Sequence, residues 1–281
     1  MTSERLTLGP AWVQAVKPAL TRGRTAAWKL RSAPAPAGVR ILFYHRISDD
    51  RDVLAVSPGR FSEQMELLAA EGYVAVDAVQ AAGLLGRDGV VGLCFDDGYR
   101  DVAENGLRVL ERHGFGASVF VITGVAGGRV GLSWYARRPP MLGWREIVAL
   151  DGGSPLRFEA HTITHPRLPA LGLEAARREI AGSKAELEAR LGRRVDGFCY
   201  PGGLFGARER TLVAEAGFTV ATSCEPGANR PGSDPLALRR IQIDARDRLA
   251  DFRAKLDGGF DRPGALRAVY RRARFAPRPA R

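Results

Sequence analysis

The sequence of 281 residues has few of the features that mark membrane-spanning or secreted proteins. None of its apolar runs approaches the roughly 20 residues that a membrane-spanning helix needs. The first forty residues have no continuous apolar segment of the signal-peptide kind, because Lys17, Pro18 and Arg22 interrupt their apolar stretches. We therefore expect a cytoplasmic protein.

Cysteine is scarce, and other familiar patterns are missing. The three cysteines, Cys94, Cys199 and Cys224, are an odd number without paired spacing, which argues against a disulfide framework. Each lies in or beside an apolar segment, so we expect buried thiols in a reducing compartment. No internal repeat is evident. The glycine-rich stretch 124–131 lacks the Lys-Ser/Thr helix start of a phosphate-binding loop.

Positive charge is in excess, with a formal net charge of +11 that is concentrated at the two ends of the chain. Such a charge favours attraction to an anionic phospholipid surface, an acidic or phosphorylated substrate, or nucleic acid. Solubility alone is the alternative explanation. We do not expect nucleic-acid binding, because the arginines belong to no recognisable binding module and acidic residues follow the predicted strands.

The chain divides into three parts. We expect residues 1–38 to form a basic extension that ends in a Pro/Ala-rich linker, residues 39–245 to form one folded domain, and residues 246–281 to form a basic C-terminal extension. We expect a helix in the first part that packs on the domain, and the alternative is an amphipathic helix that touches a membrane. The last dozen residues are expected to be disordered or bound to a surface.

The middle part alternates between short apolar runs and amphipathic segments. This alternation is typical of an α/β protein with a parallel sheet, either open or closed into a barrel, whose active residues lie at the carboxyl ends of the strands. The predicted strands are 39–45, 90–95, 117–122, 156–160, 196–201, 218–223 and 237–243. The predicted helices are 57–73, 101–114, 143–152, 172–192 and 207–217.

Polar residues follow several of these strands. Asp96 and Asp97 come after the second strand, His161 and His165 after the fourth, and His45 ends the first. Two histidines four residues apart with a carboxylate from another strand are typical of a catalytic divalent metal, most simply zinc, with cobalt, nickel or iron as alternatives. The metal would neutralise one aspartate, and the other would stay ionised and accept a proton. A helix N-cap is the alternative, but it explains only one carboxylate.

Three motifs give the sequence a family resemblance. "CFDDGYRD", "HTITHPRL" and "YPGG" occur in the order found in the polysaccharide deacetylase family, the NodB-homology proteins. The resemblance extends from "ILFYHRI" to "LRRIQI". It implies a distorted (β/α) barrel of seven strands, with metal-dependent hydrolysis of N-acetyl groups in glycans that contain N-acetylglucosamine.

The resemblance also implies roles for individual residues. It makes Asp96 the general base and makes Asp97, His161 and His165 the metal ligands. A backbone N–H near Gly202 would bind the oxyanion of the tetrahedral intermediate. These roles agree with the chemistry of amide hydrolysis, which needs an activated water, a charge sink and an acid for the departing amine.

Two departures from the family pattern shift other roles. Many members have an arginine where this chain has Cys199, and many have a C-terminal histidine as the acid, but no histidine follows His165 here. The chain resembles the branch with "YHRI" on its first strand, in which His45 would be the acid. Arg240 would then orient Asp96. Cys199 as a fourth metal ligand is a weaker alternative.

The sequence indicates the type of reaction more clearly than it indicates the substrate. Aromatic residues in the loop 124–144, Trp134, Tyr135 and Trp144, favour a glycan but are also compatible with a core position. A cytoplasmic deacetylase would act on N-acetylated oligosaccharides or lipid-linked sugars, held near an anionic inner membrane surface by its basic ends. The alternatives are hydrolysis of a small amide or ureide on the same scaffold, and a non-catalytic membrane- or glycan-associated binding protein.

Overall fold

A computed structural model describes residues 11–30, 37–132, 134–135 and 138–261, with the side chains of the first helix from residue 17 onward. Strands and helices alternate through this part of the chain. The strands are β1 (Arg40–Tyr44), β2 (Arg46–Ile47), β3 (Ala55–Val56), β4 (Val74–Val76), β5 (Val90–Asp97), β6 (Ala117–Val121), β7 (Leu156–Ala160), β8 (Gly197–Cys199), β9 (Val220–Thr222) and β10 (Arg240–Gln242).

The helices of the described ranges lie mostly between the strands of the sheet. They are α1 (Ala11–Lys29), α2 (Pro58–Ala70), α3 (Ala78–Gly83), α4 (Leu107–His113), α5 (Thr123–Ala126), α6 (Trp144–Leu150), α7 (Leu173–Leu191), α8 (Ala207–Glu215) and α9 (Leu249–Leu256). A π-helical turn, Val102–Gly106, leads into α4. Short 3₁₀ turns occur at Leu168–Ala170, Pro201–Gly203 and Pro235–Ala237.

Seven parallel strands form the wall of a distorted barrel. Their order is β10, β1, β5, β6, β7, β8, β9, and β4 adds to β5 outside this path. The two ends of the path meet at a parallel bridge between Thr222 and Leu238, where the Leu238 N–H donates to Ala221 at 2.9 Å. The expected (β/α) barrel of seven strands is therefore confirmed.

The strands of the wall are buried on both faces, which explains their continuous apolar sequences. All eight residues of β5 are buried. Side chains alternate along the strand, so Leu93 and Phe95 pack outward against the helices, whereas Cys94 faces the barrel interior with Phe43. Asp96, two residues after Cys94, shares that interior face.

The N-terminal helix α1 packs against α9. Lys17 Nζ lies 2.7 Å from Asp244 Oδ2 just after β10, and the Thr25 hydroxyl donates to Asp251 of α9 at 2.6 Å. Pro18 interrupts the apolar stretch in the sequence, and α1 continues through it. A proline inside a helix costs one backbone hydrogen bond, and the contacts of α1 with the domain offset part of that cost.

The structure differs from the sequence-based predictions in two places that matter for the site. Strand β5 continues two residues beyond the predicted end and includes Asp96 and Asp97. The last strand was predicted to begin at residue 237, but β10 begins at Arg240. The long side chain of Arg240 reaches the site through the barrel interior.

Residues 31–36 of the predicted linker and residues 262–281 of the predicted C-terminal extension, including its last dozen residues, lie outside the described residues, whereas α9 lies within the described part of that extension. Within the described ranges, no helix combines the length and the apolar character needed to cross a membrane.

Candidate metal and catalytic site

The adjacent carboxylates of Asp96 and Asp97 lie at the carboxyl end of β5, and both are buried. Neighbouring residues of a regular strand point to opposite faces. Asp97 instead has a φ of 73°, and Gly98 follows with a φ of 84°. Aspartate enters this left-handed region more readily than most residues. The turn therefore lets both carboxylates reach one cleft at the mouth of the barrel.

Asp97, His161 and His165 converge in this cleft. Oδ1 of Asp97 lies 3.5 Å from Nε2 of His161 and 3.8 Å from Nε2 of His165. One donor atom from each of the three residues lies within 4.8 Å of the others. Nδ1 of His161 is 2.7 Å from the backbone carbonyl of Cys199. A carbonyl only accepts, so Nδ1 carries the proton and the Nε2 lone pair faces Asp97.

The loop after β7 holds the two histidines in place. Thr162 and His165 both have positive φ values, 65° and 58°. The His165 N–H donates to the Thr162 hydroxyl at 3.0 Å, and the Glu179 carboxylate of α7 accepts the N–H groups of Ile163 and Thr164 at 2.9 Å each. These hydrogen bonds satisfy backbone N–H groups of a strained turn. They hold the loop in the conformation that brings both histidine rings to the carboxylate of Asp97.

The electrostatics of these three residues fit a divalent cation. Burial lowers the pKa of His161 to about 4 and that of His165 well below its usual value, so both rings are neutral at pH 7 and have free lone pairs. Burial and the charge of Asp96 raise the pKa of Asp97 to about 8. Two neutral imidazoles and a buried carboxyl group whose negative charge needs compensation form the donor set that zinc prefers.

Asp96 is held in a different environment. Nη1 and Nη2 of Arg240 donate to its two oxygens at 2.7 and 2.9 Å, and the guanidinium is buried. Burial alone would raise the pKa of Asp96, but the charge and hydrogen bonds of Arg240 lower it to about 2. The Arg240 guanidinium stacks over Phe43 at 4.2 Å. Arg240 therefore compensates the charge of Asp96, whereas burial and Asp96 itself disfavour a second negative charge on Asp97, which a cation would compensate.

Cys199 contributes to the site through its backbone and through its thiol. Sγ lies 2.9 Å from Nη2 of Arg240 and 3.8 Å from both oxygens of Asp96. Asp96, His161 and Cys199 form a second group of metal-ligating atoms. Burial raises the pKa of the thiol well above its usual value, and the adjacent guanidinium repels a cation. The group around Asp97 is therefore the better cation site.

The structure places His45 directly after β1, buried beside the carboxylate cluster. Burial lowers its pKa, and the charge of Asp96 opposes this change. Its Nδ1 has no hydrogen-bond partner among the described residues. Gly202 lies in the turn after β8 with a φ of 60°, where Gly203 and Leu204 donate back to Tyr200 and Pro201.

Two aromatic residues, Tyr99 and Trp134, lie near Asp97, which was not predicted from the sequence. The Tyr99 hydroxyl lies 3.1 Å from Oδ2 of Asp97, and Nε1 of Trp134 lies 3.4 Å from the same hydroxyl. The Trp134 ring also contacts His165, with centroids 4.9 Å apart. The tyrosine of the "DDGY" segment was a usable signal, because it stands two residues from a predicted ligand.

Comparisons with known proteins bear on the family and the fold of this chain. The polysaccharide deacetylase family model matches residues 86–221, which include both aspartates, both histidines and Gly202. The predicted resemblance to the polysaccharide deacetylase family is confirmed over this part of the chain. Members of this family are hydrolases that act on N-acetyl amide bonds, and this chain is a hydrolase of that class. His45 and Arg240 lie outside the matched residues.

Individual relatives of this deacetylase cover most of its length. YxkH of Bacillus subtilis, which carries the name polysaccharide deacetylase, is 27% identical over 224 residues, which make up 78% of this chain and 75% of YxkH. The Streptococcus pyogenes deacetylase PplD in complex with acetate superimposes with a TM-score of 0.69 at 21% identity, covering 79% of this chain and 99% of PplD. IcaB from Ammonifex degensii gives 0.65 at 23% identity, with coverages of 74% and 93%. These structures share the fold.

Proposed function

We propose that this deacetylase is a metal-dependent enzyme that removes N-acetyl groups from oligo- or polysaccharides containing N-acetylglucosamine. The observation that carries the proposal is the convergence of Asp97, His161 and His165 beside a second carboxylate, Asp96, that Arg240 keeps ionised. This arrangement separates a cation site from a proton acceptor within one cleft.

Asp97, His161 and His165 would hold the metal, which we propose to be zinc. Their one carboxylate oxygen and two imidazole nitrogens match the three-ligand catalytic zinc sites that keep a position open. A bound zinc ion would supply a lowered pKa for water and polarisation of the acetyl carbonyl. Cobalt, nickel and iron accept the same ligands.

Asp96 is the proposed general base. It remains ionised throughout the physiological range, because Arg240 lowers its pKa to about 2. The two hydrogen bonds with Arg240 also fix the plane of the carboxylate, and each oxygen retains a second lone pair. Asp96 can therefore accept a proton from water in a fixed orientation.

His45 is the proposed acid for the departing amine, and the backbone around Gly202 is the proposed donor to the oxyanion. The buried Nδ1 of His45 has no partner among the described residues, so the ring is not fixed in one tautomer by a hydrogen bond there. The positive φ values of Gly202 and Gly203 turn the backbone sharply after β8. Such turns present N–H groups to a developing negative charge.

A glycan substrate is supported by the relatives and by the aromatic residues of the 124–144 segment. Trp134 lies against His165 and therefore borders the site, whereas Trp144 packs beneath the Arg190 guanidinium at the start of α6. An aromatic ring at the edge of a polar cleft is suited to stack on the apolar face of a sugar. We propose Trp134 as the sugar-stacking residue.

The test is acetate release from an N-acetylglucosamine oligomer, compared with release from a small N-acetyl amide at the same concentration. The proposal predicts faster release from the oligomer, with metal recovered in the purified protein. Asp96→Asn should keep the metal and lose most of the rate, whereas His161→Ala should lose both. Hydrolysis of the small amide alone would contradict the glycan assignment and favour the small-substrate alternative.

We also propose that the enzyme acts in the cytoplasm and binds peripherally to anionic membranes that carry lipid-linked sugars. The net charge of +11 supports this, as do the exposed residues of α1, which include Leu20, Arg22 and Lys29. Each Lys or Arg near an anionic surface contributes about 1 kcal/mol. Sedimentation with anionic vesicles should exceed sedimentation with neutral ones, and equal binding to both would refute this proposal.

A further inference from the structure

We propose that Tyr99 is a positioning residue for the metal site: its hydroxyl holds one oxygen of Asp97, so that the other oxygen faces His161 and His165. The inference rests on the proposed function, because it concerns the proposed metal ligands. Its test therefore includes the metal affinity of the unchanged protein.

The two oxygens of Asp97 have different neighbours. Oδ2 lies 3.1 Å from the Tyr99 hydroxyl, whereas Oδ1 lies 3.5 and 3.8 Å from the Nε2 atoms of His161 and His165. A carboxylate can rotate about its last side-chain bond, which is a soft, roughly two-fold torsion. A hydrogen bond to Oδ2 restricts that rotation and assigns Oδ1 to the cation.

The direction of this hydrogen bond follows from Trp134. Its indole N–H can only donate, so the Tyr99 oxygen, 3.4 Å away, accepts it. The hydroxyl proton of Tyr99 is then directed to Asp97, the acceptor at 3.1 Å. Trp134 also contacts the His165 ring. One loop residue thus orients the support of Asp97 and packs against a second ligand.

The backbone around Tyr99 is anchored on both sides, so its hydroxyl is a fixed support. Tyr99 forms a bridge with Met141, and the N–H of Arg100 donates to the carbonyl of Pro140 at 3.0 Å. The Tyr99 side chain is fully buried. Asp97 itself has a positive φ and is followed by Gly98, so its carboxylate departs from the regular alternation of the strand. The Tyr99 hydroxyl holds the carboxylate in the position that this turn gives it.

The experiment measures metal affinity by competition with a chromophoric chelator, in the full-length protein stripped of metal and titrated with zinc. Outer hydrogen-bond partners of metal ligands typically contribute 10- to 100-fold to affinity, so we expect Tyr99→Phe to weaken zinc binding by about that factor. Tyr44→Phe is the matched control. Tyr44 is equally buried and its hydroxyl bonds to Gln64 at 2.9 Å, on the outward face of β1. The zinc affinity of Tyr44→Phe should match that of the unchanged protein.

Cobalt(II) absorption separates positioning from general destabilisation. Tyr99→Phe should alter the visible spectrum of the cobalt-loaded protein, because the freed carboxylate changes its coordination, whereas Tyr44→Phe should not. Trp134→Phe retains Tyr99 but removes its orienting N–H, and it should weaken zinc binding by a smaller factor. Unchanged zinc affinity in Tyr99→Phe, with tight binding by the unchanged protein, would overturn this inference alone. Absence of zinc binding in the unchanged protein would overturn the proposed function as well.

Discussion

Replacing Arg240 with methionine removes the guanidinium that forms two hydrogen bonds with Asp96, at 2.7 and 2.9 Å, where both side chains are buried. Burial favours the neutral form of Asp96, yet Arg240 lowers its pKa from 3.8 to about 2. At about 1.4 kcal/mol per pKa unit, that difference is worth about 2–3 kcal/mol. Breaking a buried ion pair from one side costs about 3–5 kcal/mol. We expect Arg240→Met to lower the free energy of unfolding of the metal-free protein by about 3–5 kcal/mol at pH 7.

The pH dependence of this lower free energy of unfolding shows whether it comes from the lost charge of Arg240 or from the lost packing of its side chain. In the unchanged protein the pKa of Asp96 is lower in the folded state than in the unfolded state. Ionised Asp96 therefore stabilises the folded state fully above its unfolded-state pKa of 3.8, and this stabilisation is lost as the pH falls through about 2. In Arg240→Met, burial is unopposed and raises the pKa of Asp96 instead. Protonation then relieves the penalty at acid pH, so the destabilisation should increase from about pH 4 towards neutral pH.

Urea denaturation followed by tryptophan fluorescence, between about pH 5 and pH 8, measures this loss. Asp96→Asn and the double variant, which carries both substitutions, complete a double-mutant cycle. The cycle gives the interaction energy between Arg240 and Asp96. Arg177→Met is the control, because its partner Glu215 at 2.6 Å is exposed, and such surface pairs contribute about 1 kcal/mol or less. If Arg240→Met costs no more than Arg177→Met, or costs the same at every pH, then Arg240 does not neutralise Asp96 in the way described.

Four further outcomes are expected. Asp96→Asn should keep its zinc, measured by atomic emission, but lose about 10²–10⁴ in kcat because the proton acceptor is gone; a near-normal rate would exclude Asp96 as the base. His161→Ala should lose zinc and activity together, and retention of stoichiometric zinc would exclude this histidine as a ligand. His45→Gln should lower kcat with little change in zinc content, whereas an unchanged rate would require another acid. Lys17→Met should reduce thermal stability by removing the ion pair of the partly exposed Lys17 with the buried Asp244, and an unchanged melting temperature would mean that α1 contributes nothing through this contact.

The principal site residues could be predicted from the sequence because the chemistry and the topology pointed to the same positions. Acidic and histidine residues followed apolar runs, and a parallel barrel brings the ends of such strands to one mouth. Asp97, His161 and His165 are together in the structure for this reason. The (β/α) barrel itself followed from the alternation of strands and helices together with the family motifs.

Other features depend on packing that no local pattern encodes. Glu179 lies within the predicted helix 172–192, where its sequence neighbours do not mark it, yet its carboxylate binds the loop between the two histidines. Arg240 reaches Asp96 from the start of its strand, because its side chain runs through the barrel interior. Tyr99 resembles any core aromatic residue until the turn at Asp97 and Gly98 brings its hydroxyl to the carboxylate.

The central claim is that one cation held by Asp97, His161 and His165 is required for deacetylation. The most direct measurement is a zinc titration of the metal-stripped protein, with acetate release from an N-acetylglucosamine oligomer recorded at each step. The account predicts almost no release without metal and a linear rise that saturates at one zinc ion per chain. Full activity in the stripped protein, or saturation unaffected by His165→Ala, would contradict it.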